Sequence, residues 1–247
     1  MRHLAELMLR LMLAPVLLVQ ALYVGLRAQR LPEAAGARTG QCQGPDCGPN
    51  DSLGAPLRLL IVGDSSAAGV GAAEQGQALA GQLSLALGAH RSVDWTLFAK
   101  TGATTRSTLR RLHTLSPSRY DIAVVALGVN DTTRGASAAA WTRRMTQLFD
   151  RLHHTYGAQH IYISQLPPMG RFPLLPQPLR WVLGRHAARL DRSLAQLCHI
   201  HPQAQYVVID MEMDTTLMAS DGFHPGPQVY TIWAQILADQ MRADGAV

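Results

Sequence analysis

The sequence predicts an α/β fold, a three-layer sandwich in which a parallel sheet is covered by helices on both faces, with a hydrophobic helix ahead of it. Beyond Pro56, short apolar runs alternate with longer stretches of helical period. The clearest of the runs, Arg58 to Gly63 and Tyr120 to Gly128, are apolar nearly throughout, as strands buried on both faces are. Glycine-rich turns follow several of them, which is where ligands bind in such sheets. A length of 247 residues suits one domain with an appendage. Hydrophobic residues at 47% and charged residues at 16% exclude disorder across the chain and allow a core of ordinary size.

The first element is the N-terminal segment, residues 1–30. Leu11 to Leu26 carries no charge, and counting back to Leu7 past Arg10 gives the roughly 20 residues that a bilayer span needs. A cleaved signal peptide would want small residues after the apolar run, whereas this run meets Arg27 and Arg30. The segment is therefore expected to be an uncleaved membrane anchor, with a helix lying in the interface as the second reading and a helix packed on the domain as the third. Arginines on both sides of the run, Arg2 and Arg10 before it and Arg27, Arg30 and Arg38 after it, give no orientation, which leaves an extracytoplasmic domain open. Residues 31–56, rich in Gly, Pro and Ala, read as a flexible tether. Cys42 and Cys47 fall in it, and a small disulfide loop and a pair of free thiols are both consistent with the sequence.

The domain, residues 57–247, opens with a buried strand at Arg58 to Gly63 and a helix over Gln77 to Leu87. A second strand, Val93 to Ala99, precedes a helix over Thr105 to Leu115. Tyr120 to Gly128 is the clearest central strand, followed by a helix from Ala138 to Tyr156. His160 to Gln165 and Tyr206 to Asp210 are the last two strands, and Leu179 to Cys198 and Pro227 to Met241 the helices after them.

Composition excludes several functions. The net charge is +5, but the basic residues are not clustered with aromatics. Arg180, Arg185, Arg189 and Arg192 read as a solvated helix face, so no nucleic-acid partner is expected. Three cysteines cannot form a disulfide scaffold, and the His153-His154 pair has no third ligand spaced near it, so no metal is expected.

Chemistry should lie just beyond the strand ends, and four places there stand out. Gly63-Asp64-Ser65-Ser66-Ala67-Ala68-Gly69 can hold a nucleophilic hydroxyl at a tight turn, its own N–H facing a developing oxyanion; equally, Asp64 or Ser65 can cap the next helix. A phosphate loop is disfavoured because the Lys-Ser/Thr pair is missing. Lys100-Thr101-Gly102-Ala103-Thr104 and Gly128-Val129-Asn130-Asp131 can each be ordinary turns, or can offer a backbone N–H at Gly102 and an amide donor at Asn130. Asp221-Gly222-Phe223-His224-Pro225 can fold a carboxylate back onto an imidazole, or be an Asp-Gly turn ahead of a helix begun by proline. Their arrival together and in order, each at a strand end, favours the chemical reading.

In these blocks, GDSSAAG, the TG of KTGATT, GVND and DGFHP, the chain resembles the SGNH or GDSL hydrolases, and the resemblance runs from Arg58 to Gly245. It implies a flavodoxin-like sandwich of five parallel strands in the order 2-1-3-4-5. It also implies Ser65 as nucleophile, His224 as general base and Asp221 as its orienting carboxylate, with oxyanion donors from Ser65 N–H, Gly102 N–H and the Asn130 side chain. The expected function is then a serine hydrolase of carboxylic esters, an esterase or lipase working through an acyl-enzyme, with no cofactor. Asp64 and Asp131, beside the site residues, are expected to hold the loops by hydrogen bonds.

The substrate is expected to be a small-molecule, lipid or glycan ester, and the membrane the other partner. The apolar segment Leu166 to Pro176 can line an acyl pocket, touch the membrane or pack on the sheet. A tethered lipase or esterase suits it, whereas a glycan O-deacetylase would want more polar residues there. Two rivals differ in class: an O-acyltransferase using the same triad, which usually brings many membrane spans, and a non-catalytic binding domain, which would not need Ser65, Asp221 and His224 together.

Overall fold

Residues 57–63 are continuously apolar apart from Arg58, and in a strand their side chains alternate between two faces. Leu59 and Ile61 enter one core with no exposed surface, while Leu60 and Val62 enter the other. Both faces of the sheet are therefore buried, and the helices must divide between them. The computed structural model describes residues 2–42, 55–89, 91–116, 118–210 and 215–247.

The sheet has six strands: β1 (Thr39–Cys42), β2 (Leu57–Gly63), β3 (Val93–Ala99), β4 (Ile122–Ala126), β5 (His160–Ser164) and β6 (Ala204–Val207). Their order is β1-β3-β2-β4-β5-β6, and all but β1 run parallel. This corrects the expected five-stranded sheet. The additional strand comes from the stretch read as a tether and pairs antiparallel with β3, Thr39 opposite Thr96 and Cys42 opposite Val93. Its sequence, Thr-Gly-Gln-Cys, carries no apolar run, because an edge strand half open to solvent needs none. Cys47 lies outside the described residues, and with it the question of its pairing with Cys42.

Helices α2 (Leu79–Gly88) and α7 (Pro227–Ala243) cover one face, meeting through Leu79, Leu83, Leu237 and Met241. On the other lie α5 (Ala138–Asp150), with Trp141, Met145 and Leu148, and α6 (Leu179–Ile200), with Leu190 and Leu194. At about 1.5 to 3 kcal/mol for each large apolar side chain buried, these layers fix the strand ends in place. Two short helices, α3 (Thr105–Arg111) and α4 (Val129–Thr133), begin immediately beyond the β3 and β4 turns.

The N-terminal helix α1 (Arg2–Arg27) sits on the domain. Leu17 and Val24 pack against the cluster of Met169, Phe172, Leu175 and Leu179. Gln20 donates to the Gln177 carbonyl at 2.6 Å and accepts from Leu179 N–H at 3.0 Å, which satisfies a donor at the start of α6. Leu17, Gln20 and Val24 fall at helical spacing on this inner face, while Leu18, Val19, Leu22, Tyr23 and Leu26 are exposed. Among the described residues, no helix is long and apolar enough to cross a membrane.

Candidate active site

β2 ends at Gly63 because nothing larger fits: a Cβ there would lie 2.3 Å from the Ala67 side chain and 2.8 Å from the Ala126 carbonyl. The chain then turns tightly, with Asp64 N–H bonded to Ala126 O across the end of β4 and Ala68 N–H to Asp64 O. Ser65 stands on this turn and is 7% exposed. From α7, the buried Tyr230 hydroxyl donates to Val70 O at 2.7 Å and ties the turn to the helix beneath it. Gly71 continues the loop at φ +101°, with Pro225 O only 2.1 Å from where a Cβ would stand. That close approach brings the loop from β2 against the Asp221-to-Pro225 loop, although about 150 residues separate them in sequence.

The juxtaposition completes a hydrogen-bonded chain. Ser65 Oγ lies 2.8 Å from His224 Nε2, and His224 Nδ1 lies 2.5 Å from Asp221 Oδ2. A carboxylate only accepts, so Nδ1 carries the proton and Nε2 turns its lone pair to the serine hydroxyl. Asp221 Oδ1 accepts from the Phe223 and His224 N–H groups at 2.9 and 3.0 Å, which folds the loop into the required turn. Burial alone would raise the Asp221 carboxyl, but hydrogen bonds from the His224 ring and from these two N–H groups hold it below the usual range.

Gly102 and Asn130 approach the same place. Gly102 is at φ +75° in the turn after β3, and its carbonyl accepts from Arg134 at 3.1 Å. Asn130, in the first turn of α4, donates from Nδ2 to Asp64 Oδ2 at 3.1 Å, which leaves its second amide hydrogen uncommitted by that bond. The N–H groups of Ser65 and Gly102 have no hydrogen-bond partner among the described residues. Five sequence-expected residues, Ser65, Gly102, Asn130, Asp221 and His224, thus stand at one end of the sheet.

Asp64 and Asp131 hold these loops. Asp64 accepts from Ser66 N–H at 3.1 Å as well as from Asn130, and burial pushes its carboxyl up to about 6 despite those bonds. Asp131 accepts from Thr105 N–H and Oγ1 at 2.8 and 3.0 Å, joining the β4 turn to the start of α3; burial raises its carboxyl too. One further set of contacts has no trace in sequence. Glu33 accepts from Thr101 N–H at 2.7 Å and from its hydroxyl, and Arg38 joins Glu33 to Ala99 O, so the segment leading to β1 braces the Gly102 turn. Beside Ser65 a cavity of about 340 Å³ opens, walled by Leu127, Leu166, Phe172 and Ile209. The Leu166-to-Pro176 segment divides its work: Leu166 and Phe172 line this cavity while Met169 and Leu175 pack beneath α1. Among the described residues, no group of three or more His, Cys, Asp or Glu side chains is placed to hold a metal ion.

Residues 61–232, well over half the chain, match the GDSL-like lipase/acylhydrolase family, and the chain belongs to that family. No match is found among curated proteins. Solved structures share the fold. The psychrotrophic esterase EstA from Pseudoalteromonas sp. is 20% identical over 77% of this chain and 99% of its own, with a TM-score of 0.58. The lipase/acylhydrolase from Enterococcus faecalis is 19% identical over 76% and 96%, with a TM-score of 0.58. A carbohydrate esterase family 2 enzyme from Corynascus thermopiles (Myceliophthora fergusii) is 18% identical over 78% and 69%, with a TM-score of 0.57.

Proposed function

We propose that the protein is a serine esterase that cleaves apolar carboxylic esters through an acyl-enzyme. The observation that carries this is the unbroken chain from Ser65 Oγ through His224 to Asp221. Ser65 Oγ attacks the ester carbonyl carbon as its proton passes to His224 Nε2, and Asp221 stabilises the imidazolium. Ser65 N–H, Gly102 N–H and the Asn130 amide receive the oxyanion. Collapse breaks the bond to the alcohol oxygen, which takes the proton from His224; water, activated by the same imidazole, then releases the acid. The apolar cavity beside Ser65 favours an alkyl acyl chain over an acetylated glycan.

The exposed apolar residues of α1 support attachment to a lipid surface. Leu22 is 58% and Leu26 86% exposed on a helix whose opposite face is held by the domain, which suits a helix lying in the interface. Two measurements test the reading: covalent labelling by a fluorophosphonate together with turnover of p-nitrophenyl esters, and flotation of the full chain with anionic vesicles. Labelling lost in Ser65→Ala, and flotation lost in a Leu18→Glu/Leu22→Glu variant that keeps its activity, are the expected results. An unlabelled, inactive wild type would overturn the enzymatic reading.

A further inference from the structure

Resting on that reading, we infer that α1 forms the wall of a second chamber, which receives the alcohol half of the ester, and that the alcohol is apolar. A second cavity, of about 380 Å³, is lined by Asp221 and His224 but not by Ser65. It is also lined by Leu175, Leu179, Leu183 and Phe223 of the domain and by Val24 and Gly25 of α1. Its volume is within the range of ordinary ligand sites.

The chemistry assigns the two cavities different halves of the substrate. The leaving oxygen must come within hydrogen-bond reach of His224 Nε2 to be protonated, so the alcohol's carbons continue on the histidine side. The acyl carbon is bonded to Ser65 Oγ, so its chain continues into the cavity that Ser65 lines. Phe223 borders both cavities and separates the two halves. The α1 wall lies outside the residues matched to the family. Gly25 leaves the chamber open: a Cβ built there meets nothing within 4 Å.

Hexyl acetate and ethyl hexanoate are isomers of equal apolar content, one long on the alcohol side and one on the acyl side, and kcat/KM for both in the full chain tests the assignment. Gly25→Leu fills the chamber from a helical position and should lower kcat/KM for hexyl acetate by about tenfold or more while changing ethyl hexanoate by less than about twofold. Leu174→Trp, from another part of the lining, should do the same and covers the case in which the helix tolerates Gly25→Leu badly. Labelling of Ser65 by a small fluorophosphonate should be unchanged in both variants. Equal losses on the two isomers, no loss on either, or a loss confined to ethyl hexanoate would overturn the alcohol chamber while leaving the esterase intact. A wild type that hydrolyses neither isomer and takes no label would overturn both.

Discussion

Asp64 combines two demands that pull against each other. Its carboxyl is buried, which pushes it up to about 6, yet it accepts from Asn130 and holds the amide proposed to face the developing oxyanion. The folded value lies above the unfolded value of about 3.9, so between them the native state holds a proton that the unfolded chain has lost. Stability from this group therefore rises as pH falls from about 6 towards 4, and charging it at neutral pH is destabilising. Asp221 behaves in the opposite sense: held low, it contributes stability above the unfolded value that is lost only as pH falls further. Urea unfolding of wild type and Asp64→Asn at pH 7.5 and 4.5 isolates the Asp64 effect. The wild type should gain about 2 kcal/mol on the variant at the lower pH. If Ser65 is the nucleophile as proposed, Ser65→Ala should abolish labelling, whereas Ser66→Ala should keep labelling and most turnover. Asn130→Ala should still label slowly and lose roughly 10² to 10³ in kcat. The five residues proposed to react are legible in sequence because each lies in a short block whose turn chemistry is local. The Asp64–Asn130 bond was not, because it spans 66 residues and only the fold brings its ends together.

At the scale of elements, legibility follows how locally a segment's structure is decided. Val93–Ala99 forms a strand over the predicted range, and the helix over Leu179 to Cys198 extends only two residues further. The last strand starts at Ala204, two residues ahead of the apolar run, since Ala204 and Gln205 pair with Ile161 and Tyr162 without being a run of their own. The predicted helix from Ala138 to Tyr156 gives way to a wider π turn at Arg151–Thr155, which the 3.6-residue period does not distinguish. β1 shows the limit most plainly, since nothing in Thr-Gly-Gln-Cys asks for a strand and only the open edge of β3 makes it one. Through Glu33 and Arg38 the segment before it also steadies the turn that carries Gly102. Glu33→Ala should therefore lower kcat by about tenfold with KM little changed, because a small displacement of an oxyanion donor is felt in the transition state and hardly in substrate binding. An equal rise in KM would place the effect on substrate binding instead.

For the molecule as a whole, the residues ahead of the family domain divide into two parts with different duties. The composition of residues 1–56 suggests a membrane anchor followed by a flexible tether. The structure instead packs α1 on the Met169, Phe172, Leu175 and Leu179 cluster and binds residues 33–42 to the sheet edge and the Gly102 turn. Removing residues 1–27 should release the protein from vesicles and expose the Met169, Phe172, Leu175 and Leu179 cluster, while leaving β1 and the Glu33 contacts in place. Removing residues 1–50 takes β1 as well, with its pairing to β3, the buried Ala34 and the bonds to Thr101. Those losses together are of order 3 kcal/mol, and a domain of this size shifts by about 2 to 4 °C per kcal/mol, so Tm should fall by roughly 6 to 12 °C relative to the shorter deletion. Turnover of ethyl hexanoate should fall with it even at temperatures where both proteins are folded, because the Gly102 N–H is no longer held. Equal Tm and equal kcat for the two truncations would mean that residues 33–42 are a tether after all.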